Sequence, residues 1–360
     1  MAEKINLLGF SQEKLEQFFS EMNEPSFRAK QLLKWVHQQG ELDFSNMTNF
    51  NKPLREKMQK LAVLVPPKLK KVLVSEDGTK KYLIQLDSGS SIEMVRIPEK
   101  KRMTLCISSQ AGCALQCTFC ATGAQGFEKN LSADEIIGQL WLANFHDKTD
   151  SPITNVVFMG MGEPLLNFEP VIESAELMRN DSAYYLSKKR ITISTSGLVP
   201  QIYKLAEKTD VSLAISLHAA DDKLRDIIVP INQKYPIKDL LTACNDYLTT
   251  HQDKRYVTIE YILIDGINDS IEHAKNLAKK LSGLTCKINL IPFNPFDGCD
   301  YKRSQNRNIE LFKKYLLDQR FIVTLRITRG EDIDGACGQL VGNLKKATKG
   351  KKVVQREANA

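Results

Sequence analysis

The period of the apolar positions changes twice along the chain. In residues 1 to about 62, Leu15, Phe18, Phe19 and Met22 recur at helical steps, as do Leu32, Leu33 and Val36, with Leu42 and Phe44 less regular. That spacing places them on one face of a helix, and the polar joins between such segments predict a small helical bundle. Pro66 and Pro67 then mark a boundary, since neither has a backbone N–H to continue a helix. Over 69–97 the period falls to two. Val72, Val74, Tyr82, Ile84 and Leu86 alternate around turn sequences at Asp77-Gly78 and Asp87-Ser88-Gly89, which predicts a small β-ribbon.

From residue 103 strand and helix patterns alternate. Strands are expected at 103–108, 155–160, 190–195, 211–217, 256–263 and 286–292, with helices between them, for example at 133–146, 170–179, 237–250 and 271–282. Ser132 followed by Glu135 is a capping box that starts the first of these helices. Six β/α units imply an α/β fold with a parallel sheet, open or curled into a partial barrel, and a further strand at 321–327 is expected to close it. The resulting division is a helical accessory domain (1–64), a β-ribbon linker (65–98), a β/α core (99–343) and a basic tail (344–360). In parallel β/α folds ligands bind at the carboxyl ends of the strands. Cys113 to Cys120, Gly160 to Glu163, Ser194, Ser216 to His218 and Asn294 all fall at that end.

Composition narrows the class. Hydrophobic residues at 42% and charged residues at 26% are globular values, which excludes disordered and fibrous classes. No apolar run approaches the ~18 residues of a membrane span, and the first twenty residues carry Glu3, Glu13 and Glu16 in place of a signal-peptide core. A cytoplasmic protein is expected, with no membrane partner. There the eight cysteines point to metal or catalysis and not to a disulfide framework. Of the net +7, the last sixteen residues supply +5, from Lys345, Lys346, Lys349, Lys351, Lys352 and Arg356 against Glu357. A frayed solvated end explains such a tail; so does a tether that neutralises phosphates. Lys68, Lys70 and Lys71, Lys80 and Lys81, Lys100 to Arg102, and Lys188 to Arg190 add basic clusters that suit an RNA partner.

Cys113-x3-Cys117-x2-Cys120 is the strongest chemical signal. Three thiolates within eight residues can wrap one metal centre. Zinc sites pair cysteines as C-x2-C and take four ligands; here there are three, with no histidine nearby. Three thiolates on a [4Fe–4S] cube leave one iron open for a substrate or cofactor, whereas ferredoxin-type clusters use four. Three purely structural cysteines are the plain alternative.

This spacing, on a loop after the first strand of a β/α barrel, resembles the radical S-adenosylmethionine (SAM) superfamily. The resemblance implies a partial (β/α)6 barrel, a [4Fe–4S] cluster and cleavage of SAM to a 5′-deoxyadenosyl radical. Six further segments narrow it: Cys106-Ile-Ser-Ser-Gln-Ala-Gly-Cys113, Met159-Gly-Met-Gly-Glu163-Pro164-Leu, Ser194-Thr-Ser-Gly197, Ser216-Leu-His218, Pro292-Phe-Asn294-Pro295, and Thr328-Arg-Gly-Glu-Asp-Ile-Asp-Gly-Ala-Cys337-Gly-Gln-Leu. Over most of residues 25–345 the chain is similar to the RlmN family, adenine C2-methyltransferases of 23S ribosomal RNA and of certain transfer RNAs.

The resemblance implies roles residue by residue. Cys113, Cys117 and Cys120 match cluster ligands. Gly162, Glu163, Ser194, Ser216, Leu217, His218 and Asn294 match SAM contacts, and a carboxylate such as Glu163 suits the SAM ammonium. Cys337 matches a cysteine that is S-methylated, Cys106 its resolving partner, and Glu93 a proton acceptor. Carbon 2 of adenine is not nucleophilic, so ordinary methyl transfer fails. In the implied route one SAM methylates Cys337 and a radical from a second removes hydrogen from that methyl. The carbon joins the ring, the C2 proton leaves, and Cys106 attacks the sulfur of residue 337. A transient disulfide remains, as suits a catalytic pair in a reducing compartment. Each residue also has a plain reading: Gly-Glu-Pro is a common turn, the serines satisfy strand ends, His218 is a structural histidine, Cys106 and Cys337 fill the core, and Glu93 is an ordinary ribbon carboxylate. Cys244, Cys286 and Cys299 read as structural. The implied partners are 23S rRNA, tRNA and an electron donor such as a flavodoxin system, with a monomeric enzyme.

Three other readings compete. A relative methylating carbon 8 of the same adenine shares the cluster and both cysteines, although Pro164 and Arg329-Gly330-Glu331-Asp332 fit the C2 enzymes better. A radical SAM activase of a protein glycine needs neither Cys337 nor Cys106. A non-catalytic zinc or iron–sulfur RNA-binding protein has no use for the Gly-Glu-Pro and Ser-Leu-His segments.

Overall fold

A computed structural model describes residues 4–146, 151–251 and 255–342. One sheet organises the molecule. Its ten strands lie side by side in chain order: β1 (Lys68–Val74), β2 (Lys80–Gln85), β3 (Ser91–Glu99), β4 (Arg102–Cys106), β5 (Asn155–Phe158), β6 (Ile191–Thr195), β7 (Ser212–Ser216), β8 (Val257–Leu263), β9 (Cys286–Pro292) and β10 (Ile322–Leu325). From β1 to β4 neighbours are antiparallel; from β4 to β10 they are parallel. The parallel strands match the stretches expected from sequence to within about two residues at each end.

The ribbon does not stand apart. β3 pairs with β4 through Val95 opposite Cys106 and Ile97 opposite Thr104, so the ribbon extends the barrel sheet. Its two turns are those read from sequence. Gly78 and Gly89 take φ values of +83° and +88°, a conformation that costs glycine nothing.

Helices Ala133–Phe145, Phe168–Arg179, Val199–Lys208, Ile237–His251, Ile271–Leu281 and Asn306–Asp318 return between the parallel strands, as crossover connections require. The backbone N–H of Ser132 donates to the Glu135 carboxylate at 3.0 Å, half of the expected capping box. Helix Ala133–Phe145 is buried over most of its surface, because segments of the N-terminal region lie against it: Gly9 against Asp134, Leu8 and Pro67 against Gly138, and Gly40 against Phe145, beside the helices Gln12–Glu21, Phe27–Leu33 and Lys52–Leu61. Trp141 Nε1 donates to the Val36 carbonyl at 3.0 Å. Leu15, Phe19, Leu33 and Val36 share one continuous apolar core with β2, β3 and the barrel strands.

Strand β10 lies at the far edge of the sheet, and the chain after it does the bridging. Residues 326–342 form a strap back to the ribbon. There Ser75 Oγ donates to Asp332 at 2.5 Å and the Gly330 N–H to Asp77 at 3.1 Å. Residues 344–360, read as a basic tail, lie outside the described residues.

Candidate active site

Beyond the carboxyl ends of the parallel strands lies a cavity enclosing about 960 Å³, open mouth included. Its wall brings together Cys113, Cys117, Cys120, Gly162, Glu163, Ser194, Ser216, His218 and Cys337. Leu217, Asn294, Cys106 and Glu93 are not on that wall.

The cysteine loop is pinned at both ends. Gln110–Gly112 pairs with Phe127–Asn130, and the Cys113 N–H donates to the Gly126 carbonyl at 2.9 Å. The Cys120 N–H donates to the Cys117 carbonyl at 3.1 Å, and the next helix, Ala121–Gln125, starts directly after Cys120. All three cysteines are free thiols of intermediate exposure. Burial pushes Cys113 up to about 12 and Cys117 further in the same direction, with the neighbouring thiols adding to the effect on Cys117. Protonated, such thiols are poor ligands; a cation arriving in their midst reverses the balance.

After β5 the chain turns at Gly162, with φ +96° and the Gln110 side chain and backbone close against it, leaving no room for a Cβ. Glu163 follows, buried. Its Oε1 accepts from the Leu165 N–H at 3.1 Å and its Oε2 from the Ser196 N–H at 2.8 Å. Burial nonetheless raises its pKa to about 7. His218 is also buried, and burial, then the charge of Arg225, lower it to about 3. Its Nδ1 accepts from the Ile262 N–H at 3.1 Å, so the neutral ring carries its proton on Nε2. Phe119 holds the ring edge-on, centroids 4.6 Å apart.

The remaining expected residues do other things. The Leu217 side chain is fully buried, and its backbone N–H donates to the Glu260 carbonyl at 3.1 Å. Asn294 Nδ2 donates to the Cys337 carbonyl at 3.2 Å, and Asn294 Oδ1 accepts from Thr328 at 3.2 Å. Cys106, at the end of β4, is pushed up to about 12 by burial and then by the nearby Cys337 thiol, with Arg326 pulling the other way. Cys337 is raised by burial and opposed by the same arginine. Two cysteines far apart in sequence therefore share one guanidinium. Glu93 sits beneath the strap. It pairs with Lys81 at 3.3 Å and accepts from the Val341 N–H at 3.0 Å, both side chains about 4% exposed.

Comparison with known proteins gives this arrangement a family. Residues 5–64 match the ribosomal RNA large subunit methyltransferase N-terminal domain, and residues 107–278 match the radical SAM superfamily. The chain is 53% identical to the dual-specificity RNA methyltransferase RlmN of Marinobacter nauticus, over 97% of this chain and 95% of that one. It is 52% identical to the protein of the same description from a Marinomonas species, over 96% and 95%. The chain belongs to the RlmN family. A crystal structure of a radical SAM methyltransferase from Sphaerobacter thermophilus superposes with a TM-score of 0.89 at 38% identity, covering 94% of this chain and 100% of that one. The chain is thus an RNA methyltransferase of the radical SAM superfamily with a partial-barrel fold, as the sequence motifs imply.

Membership implies an iron–sulfur cluster and SAM, and the donor set can be tested against the cluster. Among the described residues no three His, Cys, Asp or Glu side chains converge on one point as the ligands of a single ion do. A four-iron cube asks for something else. Each thiolate takes its own iron, so the sulfurs stand around a volume. Three free thiols on the wall of one cavity, with no fourth cysteine in the loop, fit that demand.

Sequence reasoning passed over two arginines beside the RlmN-family site. Arg326 follows β10 and so obeys the strand-end rule, which could have found it. Arg225 is fully buried and donates to the carbonyls of Ser196 at 2.6 Å, Ser216 at 3.1 Å and Leu217 at 2.9 Å, tying the ends of β6 and β7 together. Nothing local in the sequence announces it. Among the described residues no helix is long and apolar enough to cross a membrane.

Proposed function

We propose that the enzyme methylates carbon 2 of adenosine in 23S rRNA and in tRNA, using two SAM molecules per turnover and an S-methylated Cys337. The thiol pair carries the S-methylcysteine route, and the likeness to RlmN proteins, with Pro164 and Arg329 to Asp332, supports carbon 2 over carbon 8. A radical SAM enzyme that only activates a protein glycine has no use for Cys337 on the cavity wall with Cys106 in electrostatic reach behind it.

With a [4Fe–4S] cluster at Cys113, Cys117 and Cys120, bound SAM becomes a source of a carbon-centred radical. The chain's own residues do the rest. Glu163, His218 and the serines at the ends of β6 and β7 offer one acceptor and several donors to the polar parts of SAM. Cys337 accepts a methyl on sulfur, surrenders one hydrogen atom from it, and delivers the carbon to C2. Glu93, with Lys81 as its counterion, is assigned the C2 proton, a role that requires the strap over it to move aside, since Glu93 lies off the cavity wall with Val341 donating to it. The adduct, a radical once the carbon has joined the ring, gives up one electron to a one-electron acceptor of the iron–sulfur class. Cys106, its proton released, then attacks the sulfur of residue 337: an S–S bond forms, the S–C bond breaks, and the electron pair stays on the departing carbon, which takes a proton to become the methyl group. Reaching C2 requires an unstacked adenine. The reading places the enzyme in the cytoplasm as a monomer, reduced by a flavodoxin-type donor.

The test is anaerobic reconstitution with SAM, a reductant and unmodified ribosomal RNA or tRNA fragments, with nucleosides identified by mass spectrometry. 2-Methyladenosine is the expected product. 8-Methyladenosine would move the enzyme to the relative that methylates carbon 8. SAM cleavage with no RNA product would overturn the assignment.

A further inference from the structure

Strand register places Lys71 and Lys68 on the face of the sheet that carries Cys106, with Lys70 beside them. Register partners on adjacent strands point to the same face. Val95 is opposite Cys106, Lys81 opposite Val95, and Leu73 opposite Lys81, so these four share the face of Cys106. That face is covered by the strap, since Lys81 Nζ reaches the Asp334 carbonyl at 3.2 Å. Two residues further in the direction in which β4 runs, toward the cavity end of the sheet, the same face carries Glu93, Leu83 and Lys71. The next row carries Ser91, Gln85 and Lys68. A bulge between Leu69 and Lys71 admits Lys70 as an extra residue, and Lys68 and Lys70 are both exposed. β1 is the free edge of the sheet. The neighbouring turn carboxylate, Asp87, makes no ion pair with any of the three lysines among the described residues. An edge strand often carries lysine to block pairing with other strands, but three cations in four residues on the cavity side exceed that need.

We propose that Lys68, Lys70 and Lys71 form a phosphate-binding track that leads the backbone of the substrate RNA along β1 to the cavity. The inference rests on the RNA-methyltransferase reading and deepens it by naming the surface. Charge is its warrant: a polyanion neutralised here releases counterions, and a strand edge of closely spaced cations follows a backbone without reading bases. The flipped adenosine would then be held by the cavity and its flanking phosphates by the ribbon.

The test is binding of the full chain to a fluorescent RNA hairpin with an unpaired adenosine in its loop, measured by anisotropy across a series of salt concentrations. The triple variant K68Q/K70Q/K71Q is expected to bind more weakly at every salt. Its slope of log affinity against log salt should be shallower by about 2, at roughly 0.7 to 0.9 for each phosphate that the variant no longer neutralises. A control double variant, K279Q/K280Q, removes exposed lysines from helix Ile271–Leu281 near the opposite edge of the sheet and is expected to keep the wild-type slope. Equal losses in both variants would mean that net charge alone is read and would overturn the track. Wild-type binding with an unchanged slope in the triple variant would overturn the track alone. A wild-type protein that does not bind the hairpin would overturn the RNA reading and the track together. The variants lie at exposed or half-exposed positions, and an unchanged thermal midpoint verifies that they fold.

Discussion

At the scale of single residues burial raises the pKa of four of the site's thiols, Cys106, Cys113, Cys117 and Cys337. Cys106 and Cys113 are both pushed up to about 12, so neither is a ready nucleophile at neutral pH. Arg326 is the counterweight for Cys106 and Cys337, and Glu260 in turn faces Arg326. The two thiols have different tasks, and their removal should separate them. Cys337→Ala is expected to give no methylated RNA and no methylated protein. Cys106→Ala should still charge Cys337 and attach it to RNA but not release it. It should therefore accumulate a covalent protein–RNA species on a denaturing gel, sensitive to ribonuclease. Loss of the adduct in the double variant checks that Cys337 is its site. Both cysteines were legible in the sequence only through the motifs around them. By themselves they look like core residues, because a buried thiol is a small hydrophobe. Arg326, which distinguishes them from core cysteines, sits outside those motifs.

At the scale of elements the strap at 326–342 decides where Cys337 stands, and a buried ion pair fixes the strap. Lys81 grips it at Asp334 and Glu93 at Val341, on either side of Cys337. Removing one member leaves the other charged and buried, which typically costs about 3–5 kcal/mol. Lys81→Met is therefore expected to lower the unfolding free energy by roughly that amount and to abolish methylation. Lys81→Met combined with Glu93→Leu should recover most of the stability, because an apolar pair replaces a buried ionic one. If Glu93 also takes the C2 proton, the double variant stays inactive although it is stable. Recovered turnover in a stable double variant would make Glu93 a fastener only. The strands that carry these residues were readable from their alternation, and so were their turns. The strap was not. Its structure comes from contacts with residues some 250 positions earlier in the chain, and no local period encodes a pairing between Asp332 and Ser75. For the same reason Lys81 read as part of a basic cluster suited to an RNA partner, whereas it is buried against Glu93. Nothing local shows that a strap will cover that face.

At the scale of the molecule, the N-terminal helices and the barrel share one core, and one histidine at their junction makes the joint sensitive to acid. His37 is buried in the last turn of the second helical stretch, its Nδ1 3.0 Å from the Tyr184 hydroxyl on the barrel side. Burial lowers its pKa from 6.5 to about 3. The sign follows from proton counting. Between pH 6.5 and 3 the unfolded chain binds a proton at residue 37 that the native chain refuses, so this contribution to stability is intact above pH 6.5 and is lost as pH falls. By pH 5 the loss is about 2 kcal/mol. Buried Glu163 works in the opposite sense: with its pKa raised from 4.5 to about 7, it favours the native state at low pH, and total stability mixes the two. A variant comparison separates them. His37→Gln keeps a polar side chain but cannot titrate. The stability advantage of wild type over His37→Gln is therefore expected to shrink by about 2 kcal/mol between pH 7.5 and pH 5, read from urea unfolding of the two chains side by side. A constant difference across that range would mean that the joint opens to water before it unfolds, and that the N-terminal helices leave the barrel as a separate step.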